Sequence, residues 1–286
     1  MISPQKYLLD KSKLSQYNHY MNIKVSHESP LCLLKDSVNY NDYDYALVHL
    51  FETNSNYFNF FRSSVLANRE VLLDNSIFEL GTAFESSEYY KWIQLLEPTY
   101  YIVPDVWEDS AATMLSFDKF VTKYNDIKSL KIGATQGKTY QDFVDCYKFM
   151  SANADYIAVS FAYNYFEWTG VGKNKFERMV SGRQRLIQNL IDDGIWNWNK
   201  PHHLLGCALP QEFRYYYNKN IYNIRSVDTS NPVMAGFNYM KYNGDLGLTD
   251  KPKGLLADNI EASLDDDQLE LIKYNIESFK QIVGRK

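Results

Sequence analysis

The chain has 286 residues, of which 45% are hydrophobic, enough to bury the core of one large α/β domain. Its formal net charge of −5 argues against a protein that coats nucleic acid non-specifically. No apolar run reaches about 18 residues, and the first residues lack the order of a signal peptide, so we expect a cytoplasmic protein with no membrane partner. Three widely spaced cysteines, Cys32, Cys146 and Cys207, predict reduced thiols.

Short β-rich runs alternate with longer amphipathic runs from residue 45 onward, which is typical of βα units around a parallel sheet. The predicted strands are 45–51, 71–75, 100–105, 131–136, 155–161, 202–209, 224–227 and 254–260. Helices are predicted over 86–96, 109–124, 139–152, 176–193 and 210–217, and a helix or loop over 57–68. Apolar residues at helical spacing in 264–283 predict a C-terminal amphipathic helix.

Eight such units predict an α/β fold, a (β/α)₈ TIM-type barrel that occupies residues 45–286. Residues 1–44 are polar and irregular, with two prolines and several Asn and Asp residues. We expect them to form a short N-terminal cap of the same domain. The 24 tyrosines and 16 phenylalanines, with many Asn and Lys, suggest coding by an AT-rich genome such as many phages have.

Polar side chains stand where four of the predicted strands end: Asp74, Asp105, Gln136 and Asp228. In parallel α/β barrels the carboxyl ends of the strands carry the active site, so these residues are expected to converge on one pocket. For any single aspartate, a role as the N-cap of the following helix is as good an explanation as a catalytic role. Several carboxylates together with a glutamine and a nearby aromatic residue, Phe78, favour a catalytic site.

The order of these motifs resembles the tRNA-guanine transglycosylase family, most closely its phage and bacterial members that insert 7-deazaguanines into DNA. LLDNSIFE resembles the family's V-D-S-G-G-F-Q and places Asp74 on its aspartate and Phe78 on its base-stacking phenylalanine. Asp105 in VPDVWEDS resembles the family's next aspartate. Gln136 and Gly137 in ATQGK resemble its V-Q-G-G.

Three further motifs extend the resemblance, which covers roughly residues 70–235. The family's paired glycines at the fifth strand fall on Val159 and Ser160, and its L-M-G-V-G-T-P-E-D-L resembles LLGCALPQEF, which contains Leu205 and Gly206. The family's D-C-V-M-P resembles DTSNP and sets its nucleophilic aspartate on Asp228.

The resemblance implies an enzyme that replaces guanine in DNA by a 7-deazaguanine through a covalent intermediate on Asp228. Asp74 would move protons to and from the exchanging bases, because a partly buried carboxyl can be tuned for that task. The implied base site consists of Phe78, Asp105, Gln136, Gly137, Ser160, Leu205 and Gly206. The target nucleotide must be flipped out of a duplex or be single-stranded.

Departures from the family pattern bear on the substrate. The double glycine after Asp74 is Ser76-Ile77, and the family's arginine is missing at Met234. The family's zinc motif, C-x-C-x-x-C with a later histidine, is absent, because no cysteine follows Cys207 and no histidine follows His203. We therefore expect no metal and no cofactor, and DNA rather than tRNA as substrate. The missing zinc lobe, which normally helps pairing in the family, is compatible with a monomer.

A basic segment follows the fifth predicted strand and is the candidate phosphate-binding surface. Its cations, opposed only by Glu177, are Lys173, Lys175, Arg178, Arg183 and Arg185. A solvated helix face explains the same pattern equally well. Three alternative functions remain open at this point: a tRNA-guanine transglycosylase, a non-catalytic nucleic-acid-binding relative, and a barrel glycoside hydrolase that uses Asp74 and Asp228.

Overall fold

The computed structural model describes residues 23–284, and within them eight parallel strands form a nearly closed barrel. The strands are β1 (Lys24–His27), β2 (Asp44–Leu47), β3 (Val71–Asp74), β4 (Tyr100–Ile102), β5 (Leu130–Thr135), β6 (Tyr156–Ser160), β7 (His202–Leu205) and β8 (Ile224–Thr229). Each strand pairs with the next in the order β1-β8-β7-β6-β5-β4-β3-β2. Between β1 and β2, the Asp42 N–H donates to the Val25 carbonyl at 2.9 Å. The predicted α/β TIM-type barrel is confirmed.

Helices alternate with the strands and cover the outside of the barrel. They are α1 (Leu34–Ser37), α2 (His49–Thr53), α3 (Ser55–Leu66), α4 (Ile77–Leu80), α5 (Ser86–Leu96), α6 (Ser110–Lys123), α7 (Tyr140–Asn153), α8 (Asn164–Thr169), α9 (Lys175–Asp192), α10 (Phe213–Asn218), α11 (Asn231–Phe237) and α12 (Asp266–Ile282). Within residues 23–284, none of them combines the length and apolar character needed to cross a membrane.

Side chains at the helix starts explain where several helices begin. Thr139 accepts a hydrogen bond from the Asp142 N–H, and the Asp142 carboxylate accepts one from the Thr139 N–H, so α7 opens with a capping box. Thr139 is therefore the N-cap, as predicted. Asp265 and Gln268 form the same arrangement at the start of the C-terminal helix α12. Such caps typically contribute about 1 kcal/mol each.

The structure corrects two parts of the predicted strand pattern. Residues 254–260 form no strand: Gly254 has φ +84° and a 3-10 turn covers Ala257–Asn259. The eighth strand is instead β1, which pairs with β8 in parallel register from Lys24 with Ser226 to His27 with Thr229. The barrel thus includes part of the predicted cap, whose residues 1–22 lie outside the described residues.

Candidate active site

A cavity opens at the carboxyl ends of the strands and encloses about 920 Å³, part of it open to solvent. Eight residues singled out from the sequence line it: Asp74, Phe78, Asp105, Gln136, Ser160, Leu205, Gly206 and Asp228. They come from different strands far apart in the chain, and they meet because all parallel strands of a barrel end at the same rim.

Gly137 does not line the cavity, and its assignment to the base site is corrected. A Cβ at this position would lie 2.8 Å from the Asp142 Cβ and 3.0 Å from the Phe143 backbone nitrogen. The residue is therefore glycine because the chain passes close to the first turn of α7.

Asp228 lies near the end of β8, buried at the base of the cavity. His203 Nε2 lies 2.9 Å from its Oδ1, and the Gly206 N–H donates to both carboxylate oxygens at 3.2 Å. The other imidazole nitrogen, Nδ1, lies 2.8 Å from the Ser226 hydroxyl. These contacts fix the orientation of the carboxylate while leaving lone pairs that face the cavity.

A register shift between β7 and β8 places His203 beside Asp228. His202 pairs with Ile224, whereas His203 pairs with Ser226, so Arg225 is an extra residue in β8. Such bulges re-aim side chains next to active sites. His203 consequently points into the barrel, where the Tyr45 ring stacks on it with centroids 6.2 Å apart.

His202 points to the opposite face, as expected for adjacent residues of one strand. It stacks on Trp196 with centroids 3.8 Å apart, and its Nε2 lies 2.8 Å from the Tyr147 hydroxyl. Burial lowers the pKa of His202 to about 3, so the ring is neutral at physiological pH. His202 therefore belongs to the helix packing outside the barrel.

Asp74 ends β3 and lines the same cavity as Asp228. Its Oδ2 accepts a hydrogen bond from the Ser76 N–H at 2.9 Å, and Ser76 adopts a left-handed conformation with φ +59°. Burial, followed by the charges of Glu79 and Asp228, raises the pKa of Asp74 well above its usual range. Asp74 therefore retains a proton more readily than an exposed aspartate does, which suits a group that transfers protons.

Asp105 and Gln136 form a hydrogen-bonded chain on the β4 and β5 side of the cavity. The Asn75 amide donates to Asp105 Oδ1 at 2.8 Å and the Gln136 amide to Oδ2 at 2.6 Å. Gln136 Oε1 in turn accepts from the Glu108 N–H at 2.8 Å. Burial raises the pKa of Asp105, while these donors lower it. These hydrogen bonds hold Asp105 and Gln136 in place, and the Asp105 carboxylate can still accept a hydrogen bond from a ligand.

An aromatic wall borders the same cavity. Phe78 is 39% exposed, and its ring centroid lies 5.7 Å from that of Phe161 and 6.1 Å from that of Trp107. A Cβ at Gly206 would lie 2.5 Å from the Phe161 ring, so the glycine lets this ring approach the strand end. A planar ligand could stack against such a wall.

Three charged residues at the cavity were missed by the sequence analysis: Glu28, Glu79 and Lys251. Glu28 follows β1 directly, so recognising that strand would have revealed it. Glu79 stands one residue after Phe78 in the motif that was recognised. Lys251 follows no strand, and no sequence signal marks it.

The two glutamates resist ionisation. Burial raises the pKa of Glu28 well above its usual range, with further contributions from Asp228, Glu79 and Asp74. Burial also raises the pKa of Glu79 to about 7. Its buried Oε2 has no hydrogen-bond partner among residues 23–284. Both glutamates can therefore gain or lose a proton when a ligand binds.

The basic segment is only partly available for phosphate binding. Arg183 is fully buried and pairs with Glu212 at 2.6 Å, so its assignment to a phosphate-binding surface is wrong. Arg178 donates to Glu167 at 2.8 Å, and Lys175 lies 3.6 Å from the same carboxylate. Exposed cations of the segment that form no ion pair within the described residues are Lys173 and Arg185.

Over residues 23–284, no group of three or more His, Cys, Asp and Glu side chains has an arrangement that could hold a metal ion. The three cysteines are free thiols, of which Cys146 and Cys207 are buried. No family model and no curated protein matches this chain.

Proposed function

We propose that the protein is a transferase, a base-exchange transglycosylase that replaces guanine in DNA by a 7-deazaguanine. The observation that carries the proposal is the setting of Asp228. It is a buried carboxylate, oriented by His203 and the Gly206 N–H, and it faces a cavity with an aromatic wall and a second carboxyl of raised pKa. A nucleophile and a proton carrier are what glycosyl exchange requires.

Asp228 would attack C1′ of the target nucleotide, forming an ester bond to the sugar while the C1′–N9 bond breaks. The protonated Asp74 would give its proton to the departing guanine. The incoming base would return a proton from its N9 to the Asp74 carboxylate, attack C1′ and release Asp228. Bonds and protons balance over the two steps, so no co-reactant is required.

Recognition of the base would use the opposite side of the cavity. Asp105 would accept hydrogen bonds from ring and exocyclic N–H groups, and Gln136 can both donate and accept. Phe78 would stack on the base. The hydrogen-bonded chain through Asn75 supports this proposal, because it fixes both polar side chains before the ligand arrives.

The substrate is proposed to be DNA rather than tRNA, and the protein to act in the cytoplasm. An interior base is within reach only when the strand is single or the nucleotide is flipped out. The missing zinc motif supports DNA over tRNA.

Exchange of labelled guanine, or of a labelled 7-deazaguanine, into single-stranded DNA, duplex DNA and tRNA tests this function. Asp228→Asn should lower incorporation into DNA by about 10⁴-fold, because the nucleophile is lost while the shape of the side chain is retained. Wild-type protein quenched with denaturant should carry a covalently attached oligonucleotide, visible by mass spectrometry, that the variant lacks. Asp118→Asn, on the exposed face of α6, is the matched control and should behave as wild type.

Incorporation into tRNA alone would replace DNA by tRNA as the substrate. Release of free sugar or base without exchange would favour a hydrolase. Binding of nucleic acid with neither exchange nor a covalent adduct would indicate a non-catalytic relative and overturn the proposal.

A further inference from the structure

Acidic side chains outnumber basic ones around the cavity. Among residues 23–284, Lys251 is the only lysine or arginine that lines it. The carboxylates that line it are Glu28, Asp74, Glu79, Asp105 and Asp228. A nucleic-acid strand carries a phosphate at every nucleotide, so a nucleotide placed in this cavity needs a cation to offset the acidic lining.

The Lys251 ammonium lies over aromatic faces instead of in an ion pair. It is 4.5 Å from the centroid of Phe161 and 5.5 Å from that of Phe78. No ion pair joins Lys251 to a carboxylate within the described part of the chain. Aromatic faces hold the charge without using its N–H donors, so the ammonium stays free to bind an anion.

Hydrogen bonds from residues outside the loop fix the loop that carries Lys251. We call residues 247–256 the rim loop. The Gln211 side chain donates to the Leu248 carbonyl at 2.7 Å and accepts from the Leu248 N–H at 3.2 Å. The Asn174 amide donates to the Thr249 carbonyl at 3.2 Å. These bonds attach the rim loop to the 3-10 turn after β7 and to the start of α9, so the lysine is positioned at the cavity before a ligand arrives.

We propose that Lys251 binds the phosphate of the nucleotide whose base enters the cavity. This inference rests on the proposed function, since it requires a nucleic-acid substrate. Burial is the main cause that lowers the pKa of Lys251, and the charges of Cys207, Glu28 and Glu79 partly oppose it. A bound phosphate would reverse the effect of burial, because a neighbouring negative charge favours the charged form of the ammonium.

The test compares the affinity of two probes for wild-type protein and three variants. The probes are a single-stranded oligodeoxynucleotide that contains one guanine, titrated between about 50 and 200 mM salt, and the free base guanine, which has no phosphate. Lys251→Gln should weaken oligonucleotide binding about tenfold or more and reduce the slope of log affinity against log salt by about 0.7 to 0.9. Its affinity for free guanine should not change.

Two matched variants complete the test. Lys251→Arg retains the cation and should recover most of the affinity and of the salt slope. Lys241→Gln also removes a lysine from an aromatic face, 4.3 Å from the Tyr274 centroid, but Lys241 does not line the cavity. It should leave binding of both probes as in wild type.

An unchanged salt slope in Lys251→Gln, with wild-type exchange activity present, overturns this inference alone. Tighter guanine binding by Lys251→Gln also overturns it, because the lysine would then block the stacking surface. Failure of the wild type to bind either probe would overturn the proposed function itself.

Discussion

Two buried pairs, each of a carboxylate and a basic side chain, lie at the carboxyl ends of neighbouring strands. They differ in whether the carboxylate is available to a ligand. Arg183 and Glu212 are both fully buried, outside the cavity. His203 and Asp228 are also buried, but Asp228 lines the cavity. The comparison separates an ion pair that completes the fold from a hydrogen-bonded pair whose carboxylate is available for chemistry.

The Arg183 pair is saturated with hydrogen bonds. Its Nε and one terminal nitrogen donate to the two Glu212 carboxylate oxygens at 2.6 and 2.8 Å. The terminal nitrogens also donate to the carbonyls of Val159, Leu205 and Gly206. All five guanidinium donors are thereby used, so this arginine has no capacity for a ligand.

Gly206 connects the two pairs. Its carbonyl accepts from Arg183 at 3.2 Å, while its N–H donates to both oxygens of Asp228. The saturated pair therefore holds the backbone that orients the cavity-facing carboxylate. A buried ion pair often adds little net stability, and here we infer that its benefit lies in fixing this strand end.

The largest effect is expected from breaking the saturated pair. Arg183→Met should lower the free energy of unfolding by about 3 to 5 kcal/mol, because Glu212 is left buried without its cation. Urea denaturation followed by circular dichroism measures this loss.

The double variant Arg183→Met with Glu212→Leu is the control. It should be more stable than the single variant, since neither charge is then buried unpaired. A loss below about 1 kcal/mol in Arg183→Met would show that the pair does not hold the strand end as argued.

A smaller effect is expected where the two pairs meet. Gly206 has φ +66°, and a Cβ there would press on the Phe161 ring. Gly206→Ala should cost about 1 to 2 kcal/mol for the left-handed backbone alone, and the displaced ring should also lower the exchange rate. Thermal unfolding and the exchange assay measure the two effects.

Gly194→Ala is the matched variant for this prediction. Gly194 has φ +69°, but a Cβ there would meet nothing within 4 Å. It should show only the backbone cost, with normal exchange. Equal stability and activity for the two variants would exclude a role for the contact between Gly206 and Phe161.

The predictable parts of the fold and site are those with a strong local signal. Apolar runs that end in a polar residue located β3 and β8, and with them Asp74 and Asp228. The helix over 86–96 was predicted with the observed bounds, because its apolar spacing is regular. In contrast, β1 has four residues, KVSH, and this short run does not stand out from the polar sequence around it.

Arg183 was assigned to the wrong surface and Lys251 was missed, for different reasons. Arg183 shares a helix face with Met179, Leu186 and Ile187, all buried, and this helical spacing could have revealed that it points inward. Lys251 depends on the rim loop, whose course is set by hydrogen bonds to distant residues. No local pattern encodes those contacts.

The smallest expected effect concerns Glu79, which lines the cavity and whose Oε2 has no hydrogen-bond partner among residues 23–284. Glu79 has a pKa raised by burial to about 7, compared with about 4.5 in an unfolded chain. Between these values the folded state binds more protons than the unfolded state, so this residue makes stability fall as pH rises. Glu79→Gln removes that titration. It should therefore increase stability, relative to wild type, more at pH 8 than at pH 4, as measured by urea denaturation.

Glu85 supplies a control of opposite sign. It caps α5, and hydrogen bonds from the Ser87 hydroxyl and the backbone N–H groups of Glu88 and Ser87 lower its pKa to about 2. Its contribution is present above about pH 4.5 and is lost as pH falls toward 2, so Glu85→Gln should destabilise more at pH 7 than at pH 3. If the effects of both variants on stability changed with pH in the same direction, ionising a carboxyl group in the cavity would be no less favourable than ionising one at the surface. The distinction between saturated and unpartnered carboxylates would then have no energetic basis.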